Sequence, residues 1–325
     1  MYGMFVWVPL HARDSFFIFF QAKCNDSIRG CSKRKNKDMK NFILTVLALL
    51  IVHLAAAQTP VSPTAFQVEV SGQGPPLLLI PGLTCHADVW DETVAQFSDR
   101  YECHTITVAG FAGVPSQPEM QKDFLNSLRR DLETYIGQLD RKPIVIGHSL
   151  GGFTAMNLAI HAPDKVEKIV VVDSYPSMGA VFFGESTDLE QAASMYEMQA
   201  KFMLEMPAED YEKMQRASLA AMIQDSARID QALEWSLTSD RQTTFQAFAE
   251  LIRADLRNQM DQIQCPSLIL QAGKGPDYSP EQWDALNAGQ YGPNPNIKIQ
   301  RNMDSMHFIM FDTPEWMAHQ LSEFL

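Results

Sequence analysis

The chain has few of the residues that build stapled, basic or membrane-embedded proteins. Five cysteines in 325 residues are too few and too scattered for a disulfide scaffold. Lysine and arginine number 26 against 39 aspartates and glutamates, a formal net charge of −13. The chain therefore lacks the basic footprint that nucleic acid requires. Only one segment is apolar enough to meet a bilayer, which excludes a multi-span membrane protein. The sequence also has no internal repeat, no low-complexity tract, no His/Cys/Asp/Glu cluster at metal-ligand spacing and no three-glycine dinucleotide fingerprint. Its composition, 46% hydrophobic and 20% charged, is that of a folded globular chain, and its length suits one large α/β domain or two smaller ones.

The apolar segment runs from Asn41 to Leu54, with Lys40 before it and Ala55-Ala56-Ala57-Gln58 after it. A basic residue, a short apolar core and a small-residue cleavage site make a secretory signal peptide. Such a signal belongs at the start of a chain, so either residues 1–38 are a long basic n-region or, the reading preferred, translation begins at Met39; in both, residues 1–57 are an N-terminal extension and signal outside the fold. Without residues 1–57 the chain keeps 18 basic and 36 acidic residues, a net charge of −18. It would be repelled by anionic membranes and nucleic acid. The expected setting is a periplasm or the medium, without stable membrane association after cleavage. The three remaining cysteines, Cys85, Cys103 and Cys265, are read as buried free thiols.

From residue 65 short apolar runs alternate with longer amphipathic ones. Phe66-Gln67-Val68-Glu69-Val70 has the period of two of a half-exposed edge strand. Leu77-Leu78-Leu79-Ile80 is continuously apolar, as are runs at 105–108, 144–146, 169–172 and 268–270. Strands of that kind are covered on both faces. Helical sequence follows at 88–97, 118–139, 149–161 and 281–289. This alternation predicts a doubly wound, mostly parallel α/β sheet. Residues 180–260 break the rhythm: they hold no strand-like run and are rich in Met, Ala, Gln and Glu, which favour helix. We read a core in two parts, 58–175 and 263–325, interrupted by an all-helical cap over 176–262. The methionines of the cap suit packing between its helices and an adaptable apolar wall over a ligand.

The sharpest motif is Gly147-His148-Ser149-Leu150-Gly151. It follows the buried run Ile144-Val145-Ile146 and opens a helical segment, the strand–turn–helix context of a nucleophile elbow. The turn is tight, so the flanking positions must be small, and Gly147 and Gly151 meet that need. The start of the helix then aims free N–H groups at developing negative charge.

With these motifs the chain resembles the α/β-hydrolase family, in its serine-nucleophile branch with a helical cap, over roughly residues 65–325. The resemblance implies Ser149 as nucleophile and an oxyanion hole from the backbone N–H groups of Leu83 and Leu150. Pro81, in Leu79-Ile80-Pro81-Gly82-Leu83, stands where many members have histidine. It implies a general base at His307, in Met303-Asp304-Ser305-Met306-His307 after a last strand at 296–299. Met306 replaces a glycine common there. The family usually places its acid after the strand that follows the cap. Asp277 is the expected residue, one position later than the usual Gly-x-x-Asp spacing; Asp173, ending the strand before the cap, is the alternative. His148 is read as packing beside the nucleophile, and His86 lies near the oxyanion loop.

The expected activity is hydrolysis of a carboxylic ester of a small to medium acyl substrate through an acyl-enzyme, without metal or other cofactor. Carbon–carbon bond hydrolysis or cofactor-free perhydrolysis on the same residues, and a non-catalytic binding protein of the same fold, are the alternatives. N-terminal sequencing of protein recovered from its native host should find the mature chain starting at or near Gln58; a product that retains residues 1–38 would contradict this.

Overall fold

The computed structural model of the protein describes residues 64–274 and 278–325. The signal-like segment and the acid expected at Asp277 lie outside the described residues. Seven strands form one sheet: β1 (Phe66–Gly72), β2 (Pro76–Ile80), β3 (Glu102–Val108), β4 (Ile144–His148), β5 (Lys168–Val172), β6 (Ser267–Ala272) and β7 (Ile297–Asn302). Their order is β1-β3-β2-β4-β5-β6-β7. β1 pairs antiparallel with β3, and every other neighbouring pair is parallel. β1 is the edge strand its alternating sequence predicted, with most of its residues exposed.

β2, inside the sheet, is apolar throughout and buried on both faces. Leu77 and Leu79 enter one core with Trp90, Phe97 and Leu321. Leu78 and Ile80 enter the other with Phe124, Leu128 and Phe153. All four strand residues are fully buried, each contributing about 1.5–3 kcal/mol relative to exposure. The flanking helices are α1 (Asp91–Phe97), α2 (Phe124–Ile136) and α3 (Leu150–His161) before the insertion.

Five helices form the insertion: α4 (Met178–Phe183), α5 (Leu189–Leu204), α6 (Ala208–Ala220), α7 (Ser226–Thr238) and α8 (Arg241–Arg253). The chain then returns through a 3-10 turn at Arg257–Gln262 to β6, and ends with α9 (Pro280–Tyr291), α10 (Ile309–Asp312) and α11 (Pro314–Phe324). Three insertion helices start on an aspartate. Asp188, Asp225 and Asp240 each accept hydrogen bonds from N–H groups of the following first turn, caps worth about 1 kcal/mol apiece. The insertion is tied to the sheet's flank by Glu250 of α8, whose two carboxylate oxygens accept from Phe124 N–H and Leu125 N–H at 2.8 Å each. Those are orphan donors at the start of α2.

The topology fixes where a ligand fits. From β2 the chain moves to one side to form β3 and then to the other to form β4, so β2 and β4 are adjacent at a reversal of strand order. Crevices outside the carboxyl ends of strands at such a point are the binding sites of open α/β sheets. Ile80 pairs with Gly147, and His148 with Val172, which brings the ends of β2, β4 and β5 side by side.

The passage from β4 into α3 is tight. A Cβ at position 147 would overlap the Gly151 carbonyl, and one at position 151 would overlap the Ile80 carbonyl. Both obstacles are backbone, which cannot swing aside. Gly147→Ala is therefore expected to lower the unfolding free energy by at least the ~1–3 kcal/mol typical of overpacking. A fall in the urea midpoint at unchanged slope would show it.

Candidate active site

Ser149 follows β4 directly and holds φ 53°, ψ −117°, a conformation costing about 1–3 kcal/mol for a residue with a side chain. Two bonds impose it: Ser149 N–H donates to the Val172 carbonyl at 2.9 Å, and Phe153 N–H donates to the Ser149 carbonyl at 3.0 Å. The non-glycine residues at positive φ among those described are Thr84, Ala112, Ser149 and Asp173. Three of them, Thr84, Ser149 and Asp173, line the same cavity. Such concentration of strain is a mark of functional sites.

Asp173 is the first residue after β5. Its N–H donates to the Leu270 carbonyl at 2.7 Å, and its Oδ1 accepts from Ala272 N–H at 2.9 Å. The other oxygen, Oδ2, lies 2.6 Å from His307 Nδ1. The carboxylate is therefore fixed by β6 on one side and spent on the imidazole on the other. Of the two acids the sequence offers, Asp277 lies outside the described residues, and Asp173 is the carboxylate found beside His307 Nδ1. The sequence held a signal for this, because Asp173 ends the buried strand next to the elbow strand while Asp277 misses the usual spacing by one residue.

His307 lies in the loop after β7, and contacts remote in sequence secure that loop. Met306 N–H donates to Asp312 Oδ2 at 2.8 Å, and Gln224 N–H, in the link between α6 and α7, donates to Asp312 Oδ1 at 3.0 Å. Gln224 Nε2 donates to the Asp304 carbonyl at 2.8 Å, and Phe308 N–H donates to the Met222 carbonyl at 3.3 Å. The insertion thus grips the segment that carries the imidazole. Neither Asp312 nor Gln224 stands in a motif, and sequence reasoning missed both.

The loop after β2 turns sharply, with Cys85 N–H donating to the Gly82 carbonyl at 3.2 Å and Thr84 at φ 62°. Leu83 occupies the second position of this turn, so the turn's own hydrogen bond does not use its N–H. Leu150 is the first residue of α3, and a first-turn N–H has no carbonyl one turn back to receive it. Leu83 lines the cavity beside Ser149 and His307. Cys85 also lines it, but burial pushes its thiol up to about 12, which leaves it protonated and a poor nucleophile. All three described cysteines are free. His86 caps the turn at Ala87–Trp90, its Nδ1 accepting from Asp88 N–H at 3.2 Å, and it is absent from the cavity lining. Among the described residues no group of three or more His, Cys, Asp or Glu is placed to hold a metal ion.

The cavity has a volume of about 620 Å³, within the range of small-molecule sites. Its floor is the sheet end with Ser149, Asp173 and His307, and its walls include Met178 and Phe182 of α4, Leu219 of α6, and Phe245 and Phe248 of α8. The insertion supplies most of the apolar residues that line it.

A mostly parallel sheet with a strained serine at the strand–helix turn, and a carboxylate–imidazole pair in the same cavity, defines a hydrolase of the α/β class. Residues 77–320 match the family described as the alpha/beta hydrolase family, and the chain belongs to it. It is similar to the pimeloyl-[acyl-carrier protein] methyl ester esterase of Nitrosomonas europaea, 27% identical over 213 residues that cover 63% of this chain and 79% of the relative. The enzyme of the same description from Vibrio cholerae is 28% identical over 204 residues, covering 62% and 76%. Among solved structures a hydrolase from Pseudomonas aeruginosa superposes with a TM-score of 0.66 at 18% identity, covering 82% of this chain and 98% of its own; this likeness concerns the fold.

Two buried histidines make folding sensitive to acid. Burial, then repulsion from His307, holds His148 well below its usual 6.5, against the opposing bond to the His307 carbonyl. Burial also lowers His104, opposed by Glu102. Below about pH 6.5 the unfolded chain takes up protons that the folded chain refuses, so the stability present above that pH is lost as pH falls. Urea unfolding should show a smaller free energy at pH 5.5 than at pH 7.5, and a smaller difference between the two in His148→Gln.

Proposed function

We propose that the protein is a serine hydrolase that cleaves carboxylic esters through an acyl-enzyme. The observation that carries this reading is the 2.6 Å contact between Asp173 Oδ2 and His307 Nδ1 in the cavity that also contains the strained Ser149. With Nδ1–H donated to Asp173, the other ring nitrogen, Nε2, is left as the base. It takes the Ser149 proton as Oγ attacks the ester carbon, then passes the proton to the departing alcohol. Asp173 fixes the tautomer and stabilises the imidazolium while it lasts. The Leu83 and Leu150 N–H groups face the oxyanion; a donor of this kind is typically worth about 10²–10³ in kcat. Water, deprotonated by the same nitrogen, then releases the acid and restores the serine.

The apolar walls suit the hydrocarbon part of a small to medium acyl group. The relatives' activity supports the ester as the bond cleaved. Between residues 178 and 253 the insertion carries thirteen acidic and six basic residues. Lys213, Arg216, Arg228 and Arg253 of those six already face carboxylates. An anionic protein carrier docking on the outside of the insertion would meet repulsion there, whereas the cavity itself is lined by Lys274. The signal-like segment at 39–57 adds the proposal that the enzyme works in a periplasm or the medium.

The test uses p-nitrophenyl esters of increasing acyl length and a fluorophosphonate probe. Wild-type protein should turn over the esters and become labelled at Ser149, and Ser149→Ala should lose both. Asp173→Asn should lower kcat by roughly 10⁴, as removal of the orienting carboxylate does, whereas Asp277→Asn should stay within about threefold of wild type on the same argument. Labelling that survives in Ser149→Ala, or a larger loss at Asp277 than at Asp173, would overturn the assignment.

A further inference from the structure

His148, the residue before the nucleophile, is fully buried and lines the cavity. Its Nε2 lies 3.0 Å from the main-chain carbonyl oxygen of His307. A carbonyl only accepts, so Nε2 carries the hydrogen and Nδ1 is a bare acceptor. That Nδ1 has no hydrogen-bond partner and is buried, an arrangement that costs free energy and calls for an explanation. The ring's surroundings supply one. Its centroid is 4.6 Å from that of His307 and 4.7 Å from that of Phe308. On the other side it abuts Gly82, where a Cβ would lie 2.9 Å from Nδ1 and 3.3 Å from Ser149 Cβ. Gly82 is the residue before Leu83. One ring therefore touches the loop that offers an oxyanion donor and the loop that carries the base, while its own backbone leads into the serine.

We infer that His148 is a positioning residue: its Nε2–H fixes the His307 backbone, and its ring sets the spacing between the Gly82–Leu83 loop, Ser149 and the imidazole of His307. The inference rests on the proposed serine mechanism. An apolar side chain of similar volume would fill the same space and leave no orphaned Nδ1, yet it would leave the His307 carbonyl unheld. The unsatisfied nitrogen is thus the by-product of placing a ring donor where that carbonyl must be anchored. The imidazole itself keeps its separate tie to Asp173, so loss of the anchor shifts the ring without releasing it. Displacements of about 1 Å in reacting groups cost up to about 10² in rate.

The test compares His148→Leu, His148→Phe and His148→Gln on one p-nitrophenyl ester. Leucine and phenylalanine remove the donor, phenylalanine retaining the ring, and the amide nitrogen of glutamine restores a donor near the position of Nε2. The Leu and Phe variants should lose about 10- to 100-fold in kcat, with KM within threefold, and Gln should recover kcat to within about fivefold of wild type on the same scale. The rate of fluorophosphonate labelling at Ser149 should fall and recover in the same order. If Leu does not fold, the Phe and Gln pair carries the comparison. A Phe variant within threefold of wild type, equal losses in Phe and Gln, or a loss confined to KM would overturn the inference. If the proposed serine mechanism itself is wrong, wild-type protein will show neither turnover nor Ser149 labelling, which is a different result.

Discussion

The contact between Asp173 and His307 requires a precise meeting of two distant segments, and much of the architecture follows from it. Asp173 leaves β5 at φ 45°, and the Ala272 N–H of β6 holds its Oδ1 at 2.9 Å. That bond needs β6 in register beside β5, where Val172 pairs with Leu270. The imidazole comes from beyond β7, on the far side of β6, so its loop must cross the end of β6 to reach the carboxylate. Lys274 N–H, donating to the Ser305 carbonyl at 3.1 Å, and Gly273 N–H, donating to the Asn302 carbonyl at 2.7 Å, guide it across.

The strain at the site is affordable because the packing around it leaves no room for relaxation. Ser149 is held at φ 53° between the Val172 carbonyl and the first turn of α3, while Gly147, Gly151 and Ile80 approach closely enough to exclude any side chain. Relaxing the serine would break the bond to β5 and separate α3 from the sheet. The residues of α3 are buried almost to its end, so the apolar area lost would exceed the strain relieved.

Much of this was legible in the sequence, and for physical reasons. Continuous apolar runs such as Leu77–Ile80 mark strands covered on both faces, and the elbow declares itself through steric need at Gly147 and Gly151. The lack of any strand signal between residues 180 and 260 marked the helical insertion. The carboxylate partner of His307 was legible only as one of two alternatives, Asp277 and Asp173, because the sequence does not say which carboxylate the His307 loop meets as it crosses β6. The supports at Glu250, Asp312 and Gln224 were not legible at all. Each is an ordinary polar residue whose partners lie far away in sequence, at N–H groups that local pattern leaves unassigned.

These supports explain why an insertion so different in character from the sheet belongs to the site. Glu250 closes the start of α2, and Gln224 and the Met222 carbonyl hold the segment on either side of His307. The same insertion supplies Met178, Phe182, Leu219, Phe245 and Phe248 to the cavity wall. Pocket shape and the position of His307 are therefore not independent. A side chain that forces α6 or α7 outward to enlarge the cavity also pulls on Gln224, and through Asp312 on the backbone at Met306, one residue from the imidazole. The short link between α6 and α7 thus couples the shape of the cavity to the placement of the His307 segment.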